Sequence, residues 1–362
     1  MTLEFTLTRN EQPAADDVRE GVLAEPGFGR HFTDHMVSID WTLAGGWVDA
    51  RVEPYGPMQM DPASAVLHYG QEIFEGMKAY RREDGSVWTF RPDQNARRMQ
   101  RSADRLALPQ LPEEDFIEAV RQLVEIDEAW VPGGGENSLY LRPFMIANEV
   151  FLGVRAAQTV RFMVIASPAG PYFAGGVKPV SIWLSREYNR AGRGGTGAAK
   201  CGGNYAASLL PTQQALANGC AQVLFLNEAG TDLEELGGMN VVLVKADGTL
   251  VTPESESILD GVTRNSLLQL AADAGHRVER RPVTLAEWRD GVADGSITEA
   301  FACGTAAVLT PIAALKSPDE TIGDELAPAG PVAIALRKQL TDIQYGRAAD
   351  EHGWMLQLTG AR

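Results

Sequence analysis

The sequence contains little cysteine and no long apolar run. Its three cysteines, Cys201, Cys220 and Cys303, are far apart and form no CxxC pair, which excludes the usual zinc-binding and redox motifs and favours a reducing, cytoplasmic setting. The most apolar run, AFACGTAAVLTPIAAL, is short and broken by Gly, Thr and Pro, so we expect no membrane span. The first residues lack the basic and apolar regions of a secretory signal, and we expect none.

Positive charge is also scarce. The chain has 32 Lys and Arg against 48 Asp and Glu, for a net charge of -16. Because nucleic-acid-binding surfaces need clustered positive charge, we expect no nucleic-acid partner. The 362 residues, with 44% hydrophobic content, exceed the comfortable size of one core and predict a globular protein of two domains.

Lysine occurs at only six positions, and one of them has an unusual setting. Lys200 lies in GAAKCGGNY, among small uncharged residues. Arginine keeps its proton in proteins, whereas a lysine withdrawn from water and free of a carboxylate partner can act as a nucleophile or base. The segment is also compatible with a solvated lysine in a flexible surface loop, so these residues alone leave both interpretations open.

The glycines around Lys200 do not match the known phosphate loops. In the Walker A motif the lysine follows a glycine directly and precedes Ser or Thr, but here Ala199 precedes Lys200 and Cys201 follows it. No GxGxxG follows a clear strand either. The sequence therefore favours neither an NTPase nor a dinucleotide-binding fold.

The order of predicted elements indicates an α+β protein, because strands and helices are mixed without regular βαβ alternation. We predict a small N-terminal α/β domain over residues 1–170, an interdomain linker over 171–180 and a large C-terminal domain over 181–362 that carries Lys200. The Gly- and Pro-rich stretch PAGPYFAGG marks the linker.

Several individual elements have clear signals. Pro92 and Pro112 each open a predicted helix, and Pro211 should kink a third. The turn ADG separates two runs typical of a hairpin. The helices are predicted over 93–108, 113–130, 205–219 and 263–275, and the hairpin strands over 240–244 and 249–253.

Ten polar segments, in order from residue 28 to about 313, resemble the branched-chain amino-acid aminotransferases. They are FGRHFTDHM, HYGQEIFEGMKAY, FRPDQNARRMQRSADRL, LYLRPF, FLGV, GPYF, KCGGNYAAS, ELGGMN, GVTRNSLL and GTAAVLTPI. The resemblance implies a two-domain D-amino-acid-aminotransferase-like fold (fold type IV) that binds pyridoxal 5'-phosphate at the domain interface. It also implies a homodimer in which loops of one subunit close the pocket of the other, and no metal.

The resemblance assigns cofactor-binding roles to particular residues. Lys200 matches the catalytic lysine that bonds covalently to the cofactor and then moves the proton at the substrate Cα. Tyr205 matches the tyrosine that hydrogen-bonds the phenolic oxygen. Glu235, chosen over its neighbour Glu234 by motif alignment, matches the carboxylate on the pyridine nitrogen. The phosphate would be held by Arg98, chosen over Arg97 and Arg101 on the same helix, together with Val262, Thr263 and Thr305.

The substrate residues are implied in the same way. The family's aromatic pocket, which suits apolar side chains, corresponds to Phe28, Tyr69, Phe74, Tyr140 and Tyr172. Leu152 and Val154 match the loop from the partner subunit, and the amides of Thr305 and Ala306 would hold the α-carboxylate. Arg142 is the candidate for the distal carboxylate of glutamate. Gly238 departs from relatives that have Thr there, so one polar contact is expected to be missing.

The function this implies is reversible amino transfer between L-leucine, L-isoleucine or L-valine and 2-oxoglutarate by a ping-pong mechanism. The partners would be these amino acids, their 2-oxo acids, glutamate and a second copy of the chain. The alternatives are a D-amino-acid aminotransferase or an aminodeoxychorismate lyase of the same fold, and a non-catalytic binding protein that retains the fold.

Overall fold

A computed structural model describes residues 3–171 and 176–361 of the chain. The helices it describes, in chain order, are α1 (Asp16–Ala24), α2 (Ala65–Tyr69), α3 (Pro92–Arg105), α4 (Glu113–Ile126), α5 (Gly202–Ala207), α6 (Leu209–Ala217), α7 (Val262–Asp273), α8 (Leu285–Asp294) and α9 (Pro331–Gln344). A single 3-10 turn follows α4 at Glu128–Trp130.

The described strands form two sheets. Their bounds are β1 (Phe5–Leu7), β2 (His35–Thr42), β3 (Gly46–Pro54), β4 (Glu72–Phe74), β5 (Met77–Arg81), β6 (Val87–Phe90), β7 (Ser138–Ile146), β8 (Thr159–Ala169), β9 (Val180–Leu184), β10 (Gln222–Leu226), β11 (Leu233–Leu236), β12 (Asn240–Lys245), β13 (Leu250–Pro253), β14 (Val278–Arg281), β15 (Ile297–Gly304), β16 (Val308–Lys316), β17 (Thr321–Gly323) and β18 (Met355–Thr359).

The chain divides into two compact units. The first comprises residues 3–171, 199–202 and 343–361, and the second comprises 176–198 and 203–342. The sequence assigned the Lys200 segment to the C-terminal domain, but the structure groups it with the first unit. The reason is that Lys200 N donates to Ser102 Oγ at 2.9 Å, while Lys200 O accepts from Phe74 N at 2.9 Å.

The first unit contains a largely antiparallel sheet with the strand order β1-β3-β2-β8-β7-β5-β6-β18, and β4 pairs with β7 off this path. Only the β1–β3 pair is parallel among the described strands of this sheet. Helix α4 packs against β2, β8 and β18. Phe116 of α4 and Phe162 of β8 are both fully buried, with ring centroids 5.9 Å apart. Burial of each such side chain stabilises the folded state by about 1.5–3 kcal/mol.

The second unit contains a mixed sheet with the strand order β11-β10-β9-β16-β15-β12-β13-β14, and β17 pairs with β16. Strand β9 is parallel to β10 and to β16, whereas β12, β15 and β16 run antiparallel. Helices α7 and α8 pack against β15. Mixed sheets with helices, rather than alternating βαβ units, confirm the α+β prediction.

Most of the predicted elements are present with shifted ends. Pro92 is the first residue of α3, and β12 and β13 form the predicted hairpin. The helix predicted over 205–219 is instead two helices, α5 and α6, which meet at Ser208. Pro211 accounts for the break, because its ring clashes with the carbonyl four residues earlier and it has no N–H to donate.

Candidate active site

Lys200 is held in place by its own backbone. The hydrogen bonds to Ser102 of α3 and to Phe74 at the end of β4 fix the residue between these two elements. Its Nζ lies 4.7 Å from the centroid of the Phe74 ring. The side chain is partly buried, so the solvated-loop interpretation of this lysine does not describe the structure.

A buried ion pair lies near Lys200. Arg98 Nε donates to Glu75 Oε1 at 2.7 Å, and Arg98 Nη2 donates to Glu75 Oε2 at 2.8 Å. Asn95 Nδ2 donates to the same carboxylate at 2.8 Å. Burial alone would raise the pKa of Glu75, but the charge and hydrogen bonds of Arg98 lower it overall. The carboxylate is therefore ionised at neutral pH.

These surroundings lower the pKa of Lys200 from 10.5 to about 8. Loss of water is the largest cause, and the positive charge of Arg98 is the next. The negative charge of Glu75 opposes both effects and raises the pKa. The sequence around Lys200 had indicated an amine without a carboxylate neighbour, and the structure shows that it has one. Because Arg98 neutralises that carboxylate, the amine is close to the pKa that proton transfer at neutral pH requires.

Of the three arginines considered for the phosphate, Arg98 alone is buried. It is 5% exposed, whereas Arg101 is exposed and Arg97 pairs with Glu113 at the surface, its Nε 2.9 Å from Oε2. The exposed positions suit solvated charges, and the buried position suits a specific anion or ligand.

Arg142 and three aromatic side chains lie together in the first unit. The rings of Phe28 and Tyr140 meet edge to face at 5.0 Å, and Arg142 Nη2 donates to the Tyr140 hydroxyl at 3.1 Å. The Arg142 guanidinium carbon lies 4.8 Å from the centroid of the Phe74 ring. Its buried Nε has no hydrogen-bond partner among the described residues. Any side chain at Gly76 would collide with the Tyr140 hydroxyl, which explains the glycine in FEGMK.

Glu72 connects Arg142 with the lysine segment. Its carboxylate accepts a hydrogen bond from the backbone N–H of Gly202, two residues after Lys200. Burial raises the pKa of Glu72, and the Gly202 N–H and the charge of Arg142 oppose the rise only in part. This carboxylate therefore bridges the lysine segment and the arginine cluster electrostatically.

The remaining predicted pocket residues are more exposed. Tyr69 is 42% exposed, Leu152 69% and Val154 92%. None of these three has a described contact with the Phe28–Tyr140 pair, so within one chain the structure does not bring them into the aromatic cluster. Tyr172 lies outside the described residues.

Glu235 is the centre of a second polar cluster, in the second unit. Its Oε1 accepts from Arg190 Nη1 at 2.7 Å and from Leu259 N at 2.9 Å, and its Oε2 accepts from Asn240 Nδ2 at 3.0 Å. Glu235 is 3% exposed and Arg190 is 4% exposed. A guanidinium and two further donors thus surround this buried carboxylate, as a buried charge requires.

Helix α7 begins beside this cluster. Its N-cap is Gly261, and its first residues, Val262 and Thr263, are buried. A side chain at Gly261 would collide with Asn240 Oδ1, so a larger residue here would displace the amide that binds Glu235. The free N–H groups and the positive dipole at such a start suit an anion.

The other predicted cofactor and carboxylate residues also lie in the second unit. Tyr205 is on α5, and a side-chain carbon added at Gly238 would lie 3.6 Å from its Cε1. Thr305 and Ala306 are partly exposed in the turn between β15 and β16. Burial raises the pKa of Cys303 to about 12, so this thiol is neutral and packs as a small apolar residue.

Sequence reasoning missed several residues of these clusters. Glu75 and Asn240 were inside the recognised segments FEGMK and ELGGMN, yet received no role. Ser102 was also inside a recognised segment without a role, whereas Arg190 carried no signal, because its partner is 45 residues away in the chain. No group of His, Cys, Asp and Glu suited to a metal is found in the described residues. In the same part of the chain, no helix has both the length and the apolar character needed to cross a bilayer.

This chain belongs to the class IV aminotransferases. The family model "Amino-transferase class IV" matches residues 72–315, which include Lys200, Arg142 and Glu235. The chain is 58% identical over 364 residues to the branched-chain-amino-acid aminotransferase of Mycolicibacterium smegmatis, and the match covers 98% of each chain.

Two solved structures show the same fold. The branched-chain amino acid aminotransferase of Escherichia coli is 26% identical, with a TM-score of 0.73 over 89% of this chain and 100% of that one. The enzyme of Thermobaculum terrenum, solved in its PLP form, is 25% identical, with a TM-score of 0.73 over 90% of this chain and 99% of that one.

Proposed function

We propose that this chain is a pyridoxal 5'-phosphate-dependent branched-chain aminotransferase. It transfers amino groups reversibly between L-leucine, L-isoleucine or L-valine and 2-oxoglutarate in two alternating half-reactions. The observation that carries the proposal is the position of Lys200, fixed by Ser102 near the buried Arg98–Glu75 pair, where loss of water and the charge of Arg98 lower the pKa of its amine to about 8. The 58% identity to a branched-chain aminotransferase over 98% of the chain supports the choice of substrates.

The chemistry of the two clusters fits this cofactor. A phosphorylated pyridine aldehyde needs an amine for the aldehyde, cations and backbone donors for the phosphate, and an anion for the ring nitrogen. We assign Lys200 to the first task, Arg98 with the start of α7 and Thr305 to the second, and Glu235 to the third. Tyr205 donates to the phenolic oxygen. When bound, the cofactor draws electrons from the substrate Cα and so makes its proton acidic.

The protein's part in the reaction is to move one proton and to hold charge. The neutral amine of Lys200 would take the proton from the substrate Cα and pass it to the cofactor rather than back to Cα. Glu235, paired with Arg190, would hold the ring nitrogen protonated. The amides of Thr305 and Ala306 bind the α-carboxylate, which orients the Cα proton toward Lys200.

Phe28, Tyr69, Phe74, Tyr140 and Tyr172 would enclose an apolar side chain, and Arg142 would receive the distal carboxylate of glutamate. Phe74 and Tyr140 flank the Arg142 guanidinium. The aromatic side chains would bind a branched apolar side chain by removing it from water. The Arg142 guanidinium would bind the acidic side chain of glutamate by its charge.

A substrate panel tests the proposal directly. The purified protein, loaded with pyridoxal 5'-phosphate, should lose its visible absorption band on addition of L-leucine, L-isoleucine or L-valine and regain it with 2-oxoglutarate. D-alanine should leave the band unchanged. A response to D-alanine but not to L-leucine would instead identify a D-amino-acid aminotransferase, and a protein that never acquires the band would be non-catalytic.

We expect Arg142→Ala to affect glutamate more than leucine. Loss of a charge-assisted hydrogen bond should raise the KM for glutamate and 2-oxoglutarate about 10- to 100-fold, while the KM for L-leucine changes less than about 3-fold. Arg161→Ala is the matched control, since Arg161 pairs with Asp40 in the same sheet and should leave both KM values unaltered. Equal losses for glutamate and leucine would contradict the assignment.

We further propose a cytoplasmic homodimer. In this dimer the exposed side chains of Leu152 and Val154 would contact the partner subunit. Sedimentation should give twice the chain mass, and Val154→Asp should shift it toward the monomer. The three free cysteines support a reducing compartment, which cell fractionation would test.

A further inference from the structure

Strand β11 carries two consecutive buried glutamates with different partners. Successive side chains of a strand point to opposite faces of the sheet, so Glu234 and Glu235 face away from each other. Glu235 contacts Arg190 and Asn240. Glu234 is 7% exposed and contacts neither of them in the described hydrogen bonds. A second buried carboxylate on this short strand needs its own structural reason.

Glu234 binds two serine hydroxyls. Its Oε1 accepts from Ser255 Oγ at 2.9 Å, and both of its oxygens lie within 2.7 Å of Ser257 Oγ. Ser257 N donates in turn to Ser255 Oγ at 3.2 Å. The carboxylate therefore fixes the first half of the loop 254–261, which connects β13 to α7.

The same loop holds the partners of Glu235. Leu259 N donates to Glu235 Oε1 at 2.9 Å, and Ser257 O accepts from Arg190 Nη1 at 3.4 Å. Arg190 Nη1 also donates to Gly197 O at 3.2 Å. A side chain at Gly197 would collide with the Ser257 backbone, so the glycine loop that precedes Lys200 packs directly on the serine that Glu234 holds.

We propose that Glu234 is a positioning residue for Glu235, an inference that rests on the proposed function. Glu234 fixes Ser257, and Ser257 places both the carbonyl that orients Arg190 and the Leu259 N–H that binds Glu235. Without Glu234, the hydroxyls of Ser255 and Ser257 lose their acceptor and the loop relaxes. Glu235 then holds the ring nitrogen less firmly, although Glu234 itself touches neither cofactor nor substrate.

The test compares Glu234→Ala with Glu234→Gln in the full-length holoprotein. We expect Glu234→Ala to weaken pyridoxal 5'-phosphate binding and to lower kcat by about 10-fold each, to shift the pH midpoint of the visible band, and to leave the KM for L-leucine within about 2-fold. Glu234→Gln should keep most of the wild-type cofactor affinity and kcat, because its amide oxygen still accepts hydrogen bonds from the serines. Cofactor affinity, measured by titration of the apoprotein, gives a readout independent of turnover.

A double-mutant cycle with Glu235→Gln separates positioning from general destabilisation. If Glu234 acts through Glu235, Glu234→Ala should change cofactor affinity by less than about 2-fold in the Glu235→Gln background. An equal effect in both backgrounds would overturn the proposal. If Glu234→Ala fails to fold, Ser257→Ala can replace it, because it removes one of the two hydroxyls that Glu234 binds. Ser257→Ala should weaken cofactor affinity about 3-fold in the wild-type background and much less in the Glu235→Gln background.

Glu299→Ala is the matched structural control. Glu299 accepts from Val332 N and Ala333 N, at 3.0 and 2.9 Å, and so ties the start of α9 in the same unit. Its loss should lower the melting temperature without moving the pH midpoint of the band. A band shift equal to that of Glu234→Ala would overturn the proposal. Failure of the wild-type protein to acquire a band or to transaminate would instead refute the proposed function.

Discussion

Lys200→Ala is expected to lower transamination by at least about 10⁴-fold, because one substitution removes both the covalent attachment and the proton transfer. The visible band of the bound cofactor should shift or vanish. Borohydride treatment should fix the cofactor to the peptide that contains Lys200 in the wild-type protein and to no peptide in the variant. Mass spectrometry of the digested protein measures this directly.

The control is Lys178→Ala, since Lys178 is an exposed lysine and should leave turnover and the band intact. Retention of wild-type turnover by Lys200→Ala would refute the central role of this amine. Cofactor fixed on another lysine of the wild-type protein would do the same.

The lowered pKa of Lys200 also has a signature in the apoprotein. The folded-state pKa is about 8 and the ordinary value is 10.5. Below pH 8 the buried amine is charged, and this charge lowers the free energy of unfolding. This destabilisation disappears as the pH rises from about 8 to about 10.5, above which the amine is neutral in both the folded and the unfolded state. Lys200→Met should therefore stabilise the apoprotein at pH 7 by about 1–3 kcal/mol, with a smaller gain at higher pH in urea unfolding.

Glu235→Gln is expected to have the second-largest effect. The amide removes the anion that holds the ring nitrogen protonated, and loss of one electrostatic contact of this kind lowers kcat about 10²- to 10³-fold. It also leaves the buried Arg190 without its counter-charge, which costs about 3–5 kcal/mol of unfolding free energy. Steady-state kinetics and urea unfolding of the apoprotein measure the two losses separately.

Glu320→Gln is the control for Glu235→Gln, because Glu320 also pairs with arginines, Arg186 and Arg289, but at the surface. Exposed pairs contribute about 0–1 kcal/mol, so this variant should be nearly as stable and as active as the wild type. If Glu235→Gln has the wild-type kcat, Glu235 does not have the proposed role at the ring nitrogen.

Local signals in the sequence predicted the elements that local physics determines. Pro92 fixed the start of α3, and the turn ADG fixed the hairpin of β12 and β13. The helix break at Ser208 was displaced from Pro211 because proline acts on the turn that precedes it. Such predictions need no knowledge of the partner elements.

Contacts between distant residues were beyond the reach of the sequence. Recognition of ELGGMN selected Glu235, but neither spacing nor charge indicated that Arg190 pairs with it. Lys200 was assigned to the second unit from its position in the chain, whereas two backbone hydrogen bonds place it in the first. The lowered pKa of its amine depends on Arg98, which is 102 residues away in the sequence and was predicted only as a phosphate ligand.

Strand β18 imposes an order on folding during synthesis. It pairs with β6, so that Met355 lies opposite Phe90, although the two strands are far apart in the sequence. Until β18 has been synthesised, this side of β6 remains an unpaired edge, and edges of this kind recruit foreign strands. The first unit is therefore completed only after the second unit has been synthesised, and chains truncated before β18 are expected to aggregate.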